Sequence, residues 1–297
     1  MQKAALPSGI EIAYEDRGPA DAPALFLLHG FPENHRSWRH QIAHLQDRYR
    51  CIAPDLRGYG GSSKPQEVEA YGADRLVGDV FQLAAVLGIE EFTPIGHDWG
   101  GALAWLAAAA GQRSGQVSRL AIANAPHPAI FQHLLWTDPV QRQASQYIRA
   151  FRASDSDRFI GDHGLAAFLA RTIRWQRASP FDPVEQARLL AEWRTPGTAT
   201  AMLNWYRAAA ITVPAPGEPY GLPADYAPPP IPKIEIPTLV IWGLDDEALP
   251  PVHLGALPDH VVRPEIVEVA DCGHFIQWER PDAVNAALDR FLTRTAG

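Results

Sequence analysis

Residues 92–101 read Phe92-Thr93-Pro94-Ile95-Gly96-His97-Asp98-Trp99-Gly100-Gly101, and an alanine-rich stretch continues to residue 110. A short apolar strand, a tight glycine-flanked turn and a helix in immediate succession form the unit of a mainly parallel sheet covered on both faces. The glycines allow a strained turn that lifts the central side chain clear of the sheet, and the helix N-terminus presents backbone N–H groups beside it. In the commoner form of this turn the lifted side chain is serine; here it is Asp98. A carboxylate is a poor acyl-transfer nucleophile but can attack an sp3 carbon, giving an alkyl ester that water then cleaves at the carboxyl carbon. Alone, an aspartate here would be an ordinary helix N-cap. The glycines and the preceding strand favour the nucleophile.

Outward from this turn, residues 10–15 alternate in period two, and residues 24–28, 51–54 and 120–123 are short apolar runs ending in turn residues. Helical patterns cover 38–45, 73–87 and 100–110. After Pro126 the alternation stops, and residues 129–210 read as helical throughout. A proline-dense stretch over 213–237 can be neither regular helix nor central strand. Strands resume at 238–242 and 266–269, and an amphipathic helix over 282–295 closes the chain. The expected organisation is an α/β core over 1–127, a helical cap with its return loop over 128–227, and the rest of the core over 228–297.

In this arrangement the partners of the nucleophile follow it along the chain, acid first and histidine second, at the ends of the last strands. Trp242-Gly243-Leu244-Asp245-Asp246 follows one strand and Asp271-Cys272-Gly273-His274-Phe275 the other. His274 is the expected base for ester hydrolysis, with Asp246 fixing its tautomer and Asp245 as the rival acid. Hydrolysis builds an oxyanion on the Asp98 carboxyl, which needs two donors. The Trp99 N–H is one; the Phe31 N–H, in the loop His29-Gly30-Phe31-Pro32-Glu33, is the other. The loop Asp55 to Ser62 reads as structural, with Arg57 paired to carboxylates beneath the site.

The sequence resembles the epoxide hydrolases of the α/β-hydrolase fold over essentially its whole length. The resemblance rests on the His-Gly-Phe-Pro loop, the Gly-His-Asp-Trp-Gly-Gly turn, the Trp-Gly-x-x-Asp loop ending at Asp246 and the Gly-His-Phe segment at 273–275. It implies two cap tyrosines that hold the epoxide oxygen. Asn204-Trp205-Tyr206-Arg207 matches the segment that carries one, and Tyr147 to Phe151 matches, less fully, the Tyr-x-x-x-Phe segment that carries the other. Phenols with a pKa near ~10 can donate to an alkoxide while staying protonated at neutral pH. Phe31, Trp99, Trp205 and Phe275 are the expected substrate-lining side chains, and the implied partners are a small apolar epoxide and water, with no cofactor.

Haloalkane dehalogenases share the aspartate turn and the tryptophan after it, so that reading stays open. Halide needs N–H donors, and Phe31 offers only backbone, but Trp175 could serve. A haloacetate dehalogenase would carry arginine where Trp99 stands. A non-catalytic binding protein on this fold is disfavoured by the intact nucleophile, acid and base. His40 and His44 lie one helical turn apart, with His35 ahead, but without a carboxylate signature they read as a solvated face and no metal is expected. His97 reads as packed against the sheet, and Trp136, Trp175, Trp193 and Trp205 as cap packing. A net charge of -8 without acidic or basic blocks argues against a nucleic-acid partner. No run of residues is long and apolar enough to span a bilayer and no leader stands at the N-terminus, so a cytoplasmic location is the default. Cys51 and Cys272 are expected to be reduced. A homodimer is left open.

Overall fold

A computed structural model describes residues 1–172 and 182–294. The strands are β1 (Gln2–Ala5), β2 (Glu11–Arg17), β3 (Ala24–Leu28), β4 (Arg50–Pro54), β5 (Phe92–His97), β6 (Leu120–Ala123), β7 (Thr238–Gly243) and β8 (Glu265–Val269). They form one sheet in the order β1-β2-β4-β3-β5-β6-β7-β8. Pairing is antiparallel from β1 through β2 to β4 and parallel from there on. The mainly parallel sheet is thus as expected, with β1 added at its edge. Gln2-Lys3-Ala4-Ala5 has no β-branched or aromatic residue, so its strand comes from pairing with β2 rather than from its own propensity.

The helices are α1 (Arg39–Leu45), α2 (Ala73–Val86), α3 (Asp98–Gly111), α4 (Pro128–Thr137), α5 (Pro139–Ala144), α6 (Gln146–Arg152), α7 (Ser156–His163), α8 (Leu165–Thr172), α9 (Pro183–Glu192), α10 (Thr198–Ala208), α11 (Leu257–His260), α12 (Ile276–Glu279) and α13 (Pro281–Leu292). Helices α4 to α10 lie between β6 and β7 in the chain, and no helix or strand is formed over 213–237. Trp175 and Thr295, which the sequence reading touched, fall outside the described residues.

Both faces of the sheet are buried, as central parallel strands require. The side chains alternate between two separate cores: Phe26 and Leu28 join Ile52, Ile122, Val240 and Trp242 on one face. Leu25 and Leu27 join Cys51, Ala53, Ala121, Ala123, Leu239 and Ile241 on the other, against α1 and α13. This period-two division is the physical content of the short apolar runs. Parallel pairing places the C-terminal ends of these strands at one rim, where the loops after β3, β5, β6, β7 and β8 lie.

Candidate active site

Asp98 opens α3 with φ 49°, in the left-handed region that residues bearing a Cβ seldom occupy. Close approach enforces the turn. A Cβ on Gly100 would collide with the Leu28 and His29 carbonyl oxygens, and one on Gly30 with the Asp98 side chain. Asp98 is left 14% exposed, with Oδ1 accepting the Phe31 N–H at 2.8 Å. The Trp99 backbone N–H is a second donor to the carboxylate. Burial pushes the Asp98 pKa above its ordinary value; the His274 charge and the two N–H groups oppose this without cancelling it.

His274, in the loop after β8, places Nε2 3.7 Å from Asp98 Oδ2 and Nδ1 2.7 Å from Asp246 Oδ2. Asp246, in the loop after β7, is 3% exposed. Besides His274 it accepts from Asn124 Nδ2 at 2.7 Å, Ala248 N at 2.9 Å and Leu249 N at 2.8 Å. Asp245 is exposed, and its backbone N–H donates to the Cys272 carbonyl. Burial alone would lower the His274 pKa, but the charge and hydrogen bond of Asp246, then Asp98 and Glu33, outweigh it and raise it to about 9.

Two consequences follow from that balance. The folded value lies above the ordinary 6.5, so the imidazolium contributes stability fully present below that pH and lost as pH rises through about 9. Removing the Asp98 charge should also lower the His274 midpoint. We expect ring-proton NMR to read a midpoint near 9 in the parent and a lower one in Asp98→Asn. An equal or higher midpoint in the variant would mean that the two groups are not coupled.

Tyr147 on α6 and Tyr206 on α10 meet with ring centroids 6.0 Å apart. Tyr206 also lies edge-on to Phe31 at 5.2 Å and to Trp99 at 5.1 Å, the residues on either side of the Asp98 carboxyl. Tyr206 has the Trp99 side chain as a hydrogen-bonding partner, and Tyr147 has Tyr206. Burial first, then neighbouring phenols and the Asp98 charge, raises both phenol pKa values, so both hydroxyls keep their protons at neutral pH.

Trp205 packs on Trp99 at 5.8 Å, and its indole N–H donates to the Arg57 carbonyl at 2.8 Å. Arg57 in turn pairs with the buried Asp79 of α2 at 2.6 Å. Phe275 is not brought to the tyrosine side: its ring contacts run to His274 at 5.0 Å, His97 at 5.7 Å and Trp278 at 5.1 Å. Of the histidines weighed for metal, His35 pairs with Asp55 at 2.6 Å and His44 with Asp289 at 2.7 Å.

Three participants were not assigned from sequence. Asn124, at the end of β6 with φ 40°, takes the Gly243 N–H on Oδ1 and gives Nδ2 to Asp246, so it locks the acid loop to the sheet. An asparagine ending a strand is the one signal that pointed there. His97, read as packing, also donates Nε2–H to the His274 carbonyl at 2.8 Å. Glu33 is 4% exposed and accepts from Gln277 and Trp278. Burial pushes its carboxyl up to about 8, against the Trp278 hydrogen bond and the His274 charge.

A profile of the alpha/beta hydrolase fold family matches residues 23–281. The AB hydrolase superfamily protein YfhM of Bacillus subtilis (strain 168) is 32% identical, over 96% of this chain and 95% of its own. Epoxide hydrolase 3 of Xenopus tropicalis is 30% identical, over 96% of this chain and 75% of its own. Among solved structures, one of the novel epoxide hydrolases from metagenomes of hot environments is 56% identical with a TM-score of 0.96, covering 99% of this chain and 98% of that one. Likeness at this level along nearly the whole chain places the protein in the α/β-hydrolase fold family, on its epoxide hydrolase branch.

Proposed function

We propose that this protein converts an epoxide to a vicinal diol through a covalent ester on Asp98. The observation that carries this reading is the meeting of Tyr147 and Tyr206, from two different inserted helices, beside the Phe31 and Trp99 that bracket the Asp98 carboxyl. In this role residues 128–227 act as a cap over a core formed by 1–127 and 228–297. Its helices supply the acid side of the reaction.

Asp98 Oδ attacks a ring carbon, the C–O bond on that carbon breaks, and the ring oxygen takes the electron pair as an alkoxide. The phenol hydroxyls donate to that oxygen as it becomes basic. Alkylation removes the Asp98 charge, one of the charges that hold the His274 proton. That proton passes to the alkoxide, which becomes the hydroxyl of a hydroxyalkyl ester, and the now neutral Nε2 of His274 takes a proton from a water that attacks the ester carbonyl carbon. Asp246 stabilises the imidazolium, while the Phe31 and Trp99 backbone N–H groups hold the oxyanion. Collapse of this intermediate expels the diol oxygen, which takes the proton from His274; the Asp98 carboxyl, left protonated, returns its own proton to His274 and the starting carboxylate and imidazolium are restored.

The haloalkane reading is weaker on one count: the side chain of Trp99, the tryptophan that reading shares, already has Tyr206 as its hydrogen-bonding partner. The discriminating experiment removes the base. His274→Gln should still alkylate, so intact-protein mass spectrometry after exposure to styrene oxide is expected to find an adduct of the substrate mass. Binding without any adduct would exclude a covalent route in which His274 serves only the second step.

A further inference from the structure

The two loops beside Asp98 are gripped from above by one short helix. Helix α9 and the residue after it make four polar contacts to the core. Arg36 pairs with Glu185 at 2.5 Å at its start, and Asn34 Nδ2 donates to Glu192 Oε2 at 2.7 Å at its end. The Gly60 N–H donates to Glu192 Oε1 at 2.9 Å. The Trp193 indole N–H donates to the Pro32 carbonyl at 3.0 Å. Three of the four contacted residues, Pro32, Asn34 and Arg36, lie within five positions of Phe31, and the fourth is in the glycine loop that flanks them. Trp193 is 5% exposed, so water competes weakly for its hydrogen bond.

We infer that Trp193, with Glu192, is a positioning residue for the Phe31 N–H, and that α9 therefore governs ester hydrolysis rather than ring opening. The inference rests on the ester proposed above. Its selectivity comes from the charge history of the Asp98 carboxyl. Before alkylation the Phe31 N–H stabilises a carboxylate whose charge the attack consumes, so loosening that donor does not slow the attack. During hydrolysis the same carboxyl regains charge as an oxyanion, and a misplaced donor raises the barrier. Pro32 follows Phe31 directly, so the bond to its carbonyl fixes the chain two peptide units beyond the donor. Glu192 ties the two neighbouring loops to one carboxylate, which keeps that stretch from shifting with the helix.

A rapid-quench measurement of adduct formation and decay with styrene oxide reads the two steps separately. Trp193→Phe keeps a ring in place and removes the N–H; adduct decay should slow about tenfold while formation stays within about twofold of the parent. Glu192→Gln, which cannot accept from both Asn34 and Gly60, should shift the same ratio in the same direction if the tryptophan variant folds poorly. A purely structural role would lower the active fraction and leave both rate constants unchanged. Unchanged decay in both variants, or formation and decay slowed equally, overturns the inference. If His274→Gln accumulates adduct but Trp193→Phe decays at the parental rate, only this inference fails. If no adduct forms even in His274→Gln, the ester itself is wrong.

Discussion

Asp98→Ala should abolish epoxide turnover, lowering kcat by at least about 10^4-fold, while the far-ultraviolet circular dichroism and melting temperature stay close to the parent's. The size of the effect follows from chemistry: the other carboxylate on His274, Asp246, cannot stand in, because it is held by His274, Asn124 and two backbone N–H groups. The mild effect on folding follows from the strained turn. Asp98 holds φ 49° with a side chain 14% exposed, so its loss opens no core cavity. Activity retained within tenfold of the parent would remove Asp98 from the chemistry.

The second large effect is expected at the tyrosines. Tyr206→Phe should slow ring opening by roughly a hundredfold, and the double change with Tyr147→Phe by about 10^4-fold or more, because the alkoxide would then form with no donor. Hydrolysis of a preformed ester should change far less, since its oxyanion faces the Phe31 and Trp99 N–H groups. Single-turnover rates of adduct formation and loss separate the two. If both phenylalanine variants open epoxides at the parental rate, or if the parent releases halide from haloalkanes faster than it makes diols, the leaving-group assignment passes to the dehalogenase reading.

The turn that carries Asp98 was legible in the sequence because its demands are local: a strand, glycines where backbones touch, and a helix. The same holds for the loops bearing Asp246 and His274, each placed by an apolar strand immediately before it. Asp246 and Asp245 could not be separated that way, since the choice depends on which one the β6 asparagine and the 248–249 backbone reach. The direction in which Phe275 faces could not be read from sequence, because a residue next to His274 can face either way, and its ring stacks on Trp278. Glu33 and the α9 contacts were invisible for a different reason. Their partners lie far along the chain, Glu33 with Gln277 and Trp278, Pro32 with Trp193, and no periodicity records such pairings. Strand β1 was missed because its residues have low β propensity and only pairing makes them extended.

The central claim is that water attacks the Asp98 carboxyl carbon and not the epoxide. A single turnover of styrene oxide with excess protein in heavy-oxygen water, followed by mass spectrometry of the diol and of the peptide containing Asp98, tests it directly. The account predicts unlabelled diol and one heavy oxygen in the Asp98 side chain. Labelled diol with an unlabelled Asp98 would contradict it, because the water would then have opened the ring itself.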